Sequence, residues 1–227
     1  MSDLHGCYEK YLEMLDKISF SSNDTLYILG DVVDRGEGGI KILQDMMKRK
    51  NMVPIMGNHE GMALCVLKKV YNELEYEDRT TPTVSSTKEC KIWFEHGGFP
   101  TYHAFLLLHP KQQLRILDYI ESFKLECNIR VSGKEFYLAH SSLKANVKKE
   151  IDDNFRIDRH IWQRTDYKKK YFQNKVFVSG HSPTFFIGEE WRGKIYNKNN
   201  HLAIDCGLIY GERLACVCLN NMDVFYI

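Results

Sequence analysis

Three short segments of the 227-residue chain close an apolar run with polar residues and glycine: Asp3-Leu4-His5-Gly6, Gly30-Asp31-Val32-Val33-Asp34-Arg35-Gly36 and Gly57-Asn58-His59-Glu60. Carboxylate, imidazole and amide oxygen form a hard-to-borderline donor set, suited to manganese, iron, zinc or magnesium and needing no thiolate. Two further histidines follow apolar runs downstream, in Tyr137-Leu138-Ala139-His140 and in Phe177-Val178-Ser179-Gly180-His181-Ser182-Pro183. Each element alone has an ordinary explanation, since a strand-end histidine is commonly a satisfied polar residue and Asp-Arg-Gly a turn with a surface charge. Their ordered recurrence at the ends of successive apolar runs is what sets the pattern apart.

Strand-turn-helix units would bring such segments together. Tyr11, Leu12, Leu15 and Ile18 lie at helical spacing within residues 8–18; Thr25 to Leu29 and Met52 to Met56 read as short strands ended by Gly30 and Gly57; residues 39–47 and 59–70 read as helices. This β-α-β-α alternation favours parallel strands with crossovers, whose carboxyl ends are where ligand sites assemble. Gly6, Gly36 and Gly57 are expected to permit the tight turns. Residues 71–87 turn polar and charged and read as an insertion, followed by helical material near 88–95 and 102–123 that would form a cap over about 71–123. Strands then dominate, at 125–131, 135–139, 176–179, 201–205, 214–219 and 223–227, with hairpin turns expected at Gly133 and Asn220-Asn221.

The bulk numbers bound the rest. With 44% hydrophobic residues the chain can bury one sizeable core, and residues 1–227 are read as a single α/β domain. Lys plus Arg number 31 against 30 Asp plus Glu, which provides no field to draw the protein onto nucleic acid or a membrane. No run approaches the ~20 apolar residues of a membrane span, and the polar start excludes a signal peptide in this sequence, so a cytoplasmic location is expected. The seven cysteines are scattered without Cys-x-x-Cys spacing and read as reduced thiols. The lysines at 144, 148, 149 and 168–170 read as solvated faces.

The ordered signature Asp-x-His-Gly, Gly-Asp-x-x-Asp-Arg-Gly, Gly-Asn-His-Glu at 3–6, 30–36 and 57–60 resembles the phosphoprotein phosphatases within the calcineurin-like metallophosphoesterases. Trp93 with Gly97-Gly98, Ile161-Trp162-Gln163-Arg164, Gly180-His181-Ser182-Pro183 and Ile204-Asp205-Cys206-Gly207 are similar to later landmarks of small bacterial and bacteriophage lambda-type members. The resemblance implies two mixed β-sheets in a sandwich flanked by helices, and two divalent metal ions, manganese first, with iron or zinc as alternatives. It implies Asp3 and His5 on one metal, Asn58, His140 and His181 on the other, and Asp31 bridging them. It also implies His59 as general acid paired with Asp34, and Arg35, Arg164 and Asn58 as phosphate-binding groups; Arg156 and Arg159 lie near Arg164 and read as exposed helix charges. The implied reaction is direct hydrolysis of a phosphoester by a hydroxide held between the metals, with phosphoserine or phosphothreonine in proteins, or small phosphoesters, as substrate.

Two departures qualify this reading. Only Met1 and Ser2 precede Asp3 where the family has a buried strand, which suggests a native chain that begins upstream. Ala139-His140-Ser141-Ser142 places hydroxyls beside a ligand, leaving the local turn open. Relatives with the same signature split diadenosine tetraphosphate, which makes a dinucleoside polyphosphate hydrolase the alternative; Tyr71, Tyr76 or Trp191 could offer it an adenine-stacking face. A non-catalytic scaffold or sensor is the third reading.

Overall fold

The computed structural model describes residues 1–75, 83–143, 151–152, 157–158 and 161–227. Helix α1 (Tyr8–Lys17) leads into strand β1 (Leu26–Ile28), helix α2 (Gly39–Met46) into β2 (Met52–Pro54), and α3 (Asn58–Glu75) follows. β1 and β2 pair in parallel, Leu26 opposite Met52 and Ile28 opposite Pro54, as the alternation predicts. The strand expected to be missing before Asp3 has a counterpart. Leu29 N–H donates to the Met1 carbonyl at 2.9 Å and Asp3 N–H to that of Gly30 at 3.0 Å, so buried Met1 and Ser2 run alongside β1.

The insertion expected from residue 71 begins later. Tyr71 and Leu74 pack against the main core, and this holds Tyr71 to Glu75 in α3 despite their polar neighbours; Tyr76 and the rest of 76–82 lie outside the described residues. Thr83 donates through its hydroxyl to Glu73 at 2.9 Å, beside the turn Val84–Ser86 with Val84 buried. Thr87 Oγ1 then accepts from Cys90 N–H at 3.3 Å and caps α4 (Lys88–Glu95). Helices α5 (Phe99–Leu106) and α6 (Pro110–Glu121) complete the helical layer.

The second half contributes β3 (Glu126–Val131), β4 (Lys134–Ala139), β5 (Ile151–Asp152), β6 (Ile157–Asp158), β7 (Lys175–Ser179), β8 (Tyr196–Lys198), β9 (His201–Ala203), β10 (Ala215–Val217) and β11 (Val224–Tyr226). A five-stranded mixed sheet runs in the order β3-β4-β7-β9-β8. β4, β7 and β9 are parallel, while β3–β4 and β8–β9 are antiparallel hairpins. Ser132 and Gly133 at the first hairpin have φ of 48° and 79°, and Asn199 and Asn200 at the second 56° and 54°, the paired left-handed geometry that matches strand twist. The hairpin expected at Asn220-Asn221 joins β10 to β11. The β8–β9 hairpin was not read from the sequence.

Side chains alternate across the sheet. Phe136 and Leu138 of β4, with Val178 and Leu202, face Leu29, Ile55, Tyr27, Val53 and Val217 in a core between two β layers. Tyr137, Ala139 and Phe177 point the other way, against Tyr171 and Phe172. On the far side of β1–β2, Tyr11, Met14, Ile42, Leu43, Val66 and Leu67 from the helices meet Leu26 and Ile28. The architecture is the expected α/β sandwich flanked by helices, except that its first layer consists of the separate pairs β1–β2 and β10–β11 instead of one mixed sheet. All seven cysteines are free thiols. No described helix is long and apolar enough to cross a membrane.

Candidate metal centre

The loops at the carboxyl ends of these strands are stitched together by their own backbones. His5 N–H donates to Asp31 O at 2.9 Å and Gly6 N–H to Val32 O at 2.8 Å. Glu60, wholly buried at the start of α3, joins the next loop. Its Oε2 accepts from Asp31 N–H at 2.8 Å and Gly57 N–H at 3.0 Å, and its Oε1 from Val32 at 2.7 Å and Val33 at 3.2 Å. These four bonds give Glu60 a supporting role behind the donor loop. Burial, then the nearby Asp31, pushes its carboxyl up to about 7.

The turns are tight enough to force unusual backbone. Asp3, His5, Asp31, Asp34, Arg35 and His181 all have positive φ, between 41° and 71°, a region side chains enter at a cost of about 1–3 kcal/mol each and that clusters at functional sites. Gly57 contributes space, not φ as expected: a Cβ there would lie 2.2 Å from Asp31 Oδ1.

Around Asp31 the donors converge. His140 Nε2 lies 3.3 Å from Asp31 Oδ1 and 3.1 Å from both Asn58 Oδ1 and His181 Nδ1, with His181 Nδ1 3.0 Å from Asn58 Oδ1. On its other side Asp31 Oδ2 is 3.7 Å from His5 Nε2 and 4.0 Å from His59 Nε2. Two donor groups, His5-Asp31-His59 and Asp31-His140-His181, thus share one carboxylate. Asp3, expected on the same metal as His5, is buried and accepts from the His181 N–H through both carboxylate oxygens at 3.1 and 3.0 Å.

The remaining nitrogens explain why the rings face inward. His5 Nδ1 donates to Val33 O at 3.2 Å, His140 Nδ1 to Leu29 O at 2.7 Å, and His181 Nε2 to Trp162 O at 3.1 Å. A carbonyl on one nitrogen fixes the tautomer and leaves the other lone pair for a cation, the arrangement typical of metal-binding histidines. Donor separations near 3.0–3.3 Å are those expected of ligands about 2.1 Å from a shared ion. The electrostatics agree. Burial opposes charge on Asp31, but His140 and His59 outweigh it and hold the carboxyl well below its usual range. Burial likewise disfavours the His140 imidazolium, but Asp31 raises it to about 10. The cluster keeps its negative charge only against positive charge, a demand that divalent cations meet.

Beside it is a second constellation. His59 Nδ1 bonds Asp34 Oδ2 at 2.7 Å, the same oxygen accepts from Trp93 Nε1–H at 2.7 Å, and Asp34 N–H donates to Thr101 Oγ1 at 2.9 Å. Burial works against the His59 imidazolium, yet Asp31 and the bond to Asp34 outweigh it and raise its pKa. Arg35 Nη2 reaches to 3.4 Å from His59 Nε2. Arg164 is exposed, with its guanidinium 5.0 Å from the centre of the Phe186 ring. Lys144, Lys148, Lys149, Arg156 and Arg159 lie outside the described residues. Trp93 stood in the sequence as a landmark without a task, and Thr101 carried no signal at all.

The calcineurin-like phosphoesterase family profile matches residues 1–211. The chain belongs to that family. The family has a divalent metal centre, and the donors of this chain fit one. It is 37% identical to the symmetrical bis(5'-nucleosyl)-tetraphosphatase of Neisseria gonorrhoeae over 99% of this chain and 92% of that one. It is 28% identical to the enzyme of that name from Wigglesworthia glossinidia brevipalpis over 68% of this chain, spanning 60% of the relative's length. Serine/threonine-protein phosphatase 2 of Salmonella typhimurium is 24% identical over 100% of this chain and 91% of its own. A solved structure provisionally named a diadenosine tetraphosphatase shares the fold of this phosphoesterase, with a TM-score of 0.59 and 15% identity over 100% of this chain and 90% of that chain.

Proposed function

We propose that this phosphoesterase hydrolyses symmetrical dinucleoside tetraphosphates at the central anhydride, releasing two nucleoside diphosphates. The observation that carries the chemistry is the buried His59–Asp34 pair, whose His59 Nε2 lies 4.0 Å from the Asp31 carboxylate that two donor groups share. The substrate class is supported by the Neisseria gonorrhoeae relative, 37% identical across nearly both chains. The order expected from sequence, phosphoprotein first, is thereby reversed.

Asn58, His140 and His181 would hold one cation, His5 with Asp3 the other, and Asp31 both; manganese, iron and zinc all suit these donors. Bound there, the cations acidify a water and offset the charge on phosphoryl oxygens. His59 keeps Nδ1–H on Asp34 and presents Nε2 toward the cluster, placed to give its proton to the departing oxygen as water adds to phosphorus and the P–O bond breaks. Asp34, itself held by Trp93 and Thr101, fixes the tautomer and supports the imidazolium. Arg35, next to His59 Nε2, donates in a planar fork to phosphoryl oxygens. Arg164, exposed over the Phe186 ring, would meet an outer phosphate.

Phosphoserine hydrolysis is the second reading, favoured by the Salmonella relative. Specific activities on diadenosine tetraphosphate and on a phosphoserine peptide, both with added manganese, decide between them. A large preference for the dinucleotide, with adenosine diphosphate as product, is expected; a preference for the peptide would reverse the assignment.

A further inference from the structure

A row of rings and guanidinium groups borders the metal-ligand cluster. Arg35 has its guanidinium 5.9 Å from the centre of the Tyr210 ring. Tyr210 meets Phe185 edge to face at 5.6 Å, Phe185 lies against Phe186 at 4.7 Å, and Arg164 covers Phe186 at 5.0 Å. The row starts beside His59 and ends near Trp162, whose carbonyl pins His181. Tyr210 and Phe186 are 54% and 56% exposed, among the few large apolar side chains turned to solvent. The faces foreseen from sequence do not lie along it: Tyr71 packs on the helical core, and Trp191 meets Tyr196 edge to face under Lys198.

Exposed rings flanked by arginines suit a ligand that carries both an aromatic base and phosphates, because rings stack on the base while guanidinium groups take the anionic oxygens. A phosphoserine offers the arginines a phosphate but has no ring to cover Tyr210 and Phe186. We infer that Tyr210 and Phe186 form a stacking subsite for one nucleobase of the substrate, whose phosphates run past Arg35 to the metal-ligand cluster. This rests on the dinucleoside reading and places the part of the substrate that the reading leaves without contacts.

Calorimetric titration of manganese-loaded protein with adenosine diphosphate and with inorganic pyrophosphate tests it, since the probes differ by the nucleoside. Wild type is expected to bind the nucleotide at least about fivefold more tightly, the scale of one stacked base. The double substitution Tyr210→Ala, Phe186→Ala removes that advantage, and Tyr210→Trp retains it. Equal affinities in wild type, or equal weakening of both probes by the double substitution, overturns the subsite. So does a loss confined to an aromatic-flanked phosphoserine peptide, which would make the row a peptide contact. Nucleotide advantage without diadenosine tetraphosphate hydrolysis would overturn the proposed substrate and leave the subsite; hydrolysis without the advantage would do the reverse.

Discussion

Glu60 holds the Asp31 loop from below: one carboxylate oxygen accepts from the Asp31 N–H at 2.8 Å while the other takes Val32 N–H at 2.7 Å. The Asp31 carboxylate therefore owes its position to a side chain that grips the backbone of residues 31–33. Glu60→Gln replaces one acceptor by an amide that faces two N–H donors. Loss of about 2–3 kcal/mol is expected, read as a thermal midpoint about 4–12 °C lower. An unchanged midpoint would show that the loop holds itself.

His59 is expected to act on protons and Asp34 to act through it. His59→Asn should keep the metal content of wild type and lower turnover by about 10²–10⁴. Elemental analysis alongside kinetics reads both, and metal loss matching the activity loss would assign His59 to ligation instead.

Space beside Asp31 is as important as charge. Gly57→Ala puts a methyl 2.2 Å from Asp31 Oδ1 and 2.5 Å from its backbone nitrogen, so the carboxylate must swing. Metal retained after gel filtration should fall while helical circular dichroism stays; full retention would contradict the packing.

His201 supplies a pH dependence away from the cluster. It is fully buried, 2.8 Å from Ser179 Oγ, and stacked between Tyr167 and Phe177. Burial lowers its pKa to about 3, against ~6.5 in the unfolded chain. Between those values the unfolded chain binds a proton that the folded one refuses, so stability is full above about 6.5 and falls as pH drops, by up to ~1.4 kcal/mol per unit. Urea unfolding at pH 6.5 and 4.5 should cost wild type about 2 kcal/mol more than His201→Gln, since the other groups titrate in both. Parallel losses would place His201 in water.

The donors were legible because the loops at 3–6, 30–36 and 57–60 carry them as contiguous text, and β-α-β alternation told where such loops meet. What holds them in place was not. Trp93 and Thr101 reach Asp34 from positions 59 and 67 residues away, a juxtaposition no local pattern encodes. The resemblance pairs Asp3 with His5 but is silent on the His181 N–H, 178 residues away, that both Asp3 carboxylate oxygens accept from. β8 escaped because Tyr196-Asn197-Lys198 is an edge strand with two exposed residues and no alternation to detect. The end of α3 was misplaced because Tyr71 to Glu75 shows polar composition and is held by packing.

Asp31 at the junction of both donor groups is the central claim, and manganese titration by calorimetry tests it most directly. Wild type should take up two ions, and Asp31→Asn should weaken both, by about tenfold or more each as the shared charge is lost. If Asp31→Asn weakened one ion and left the other at wild-type affinity, the carboxylate would belong to a single site and the shared centre would be wrong.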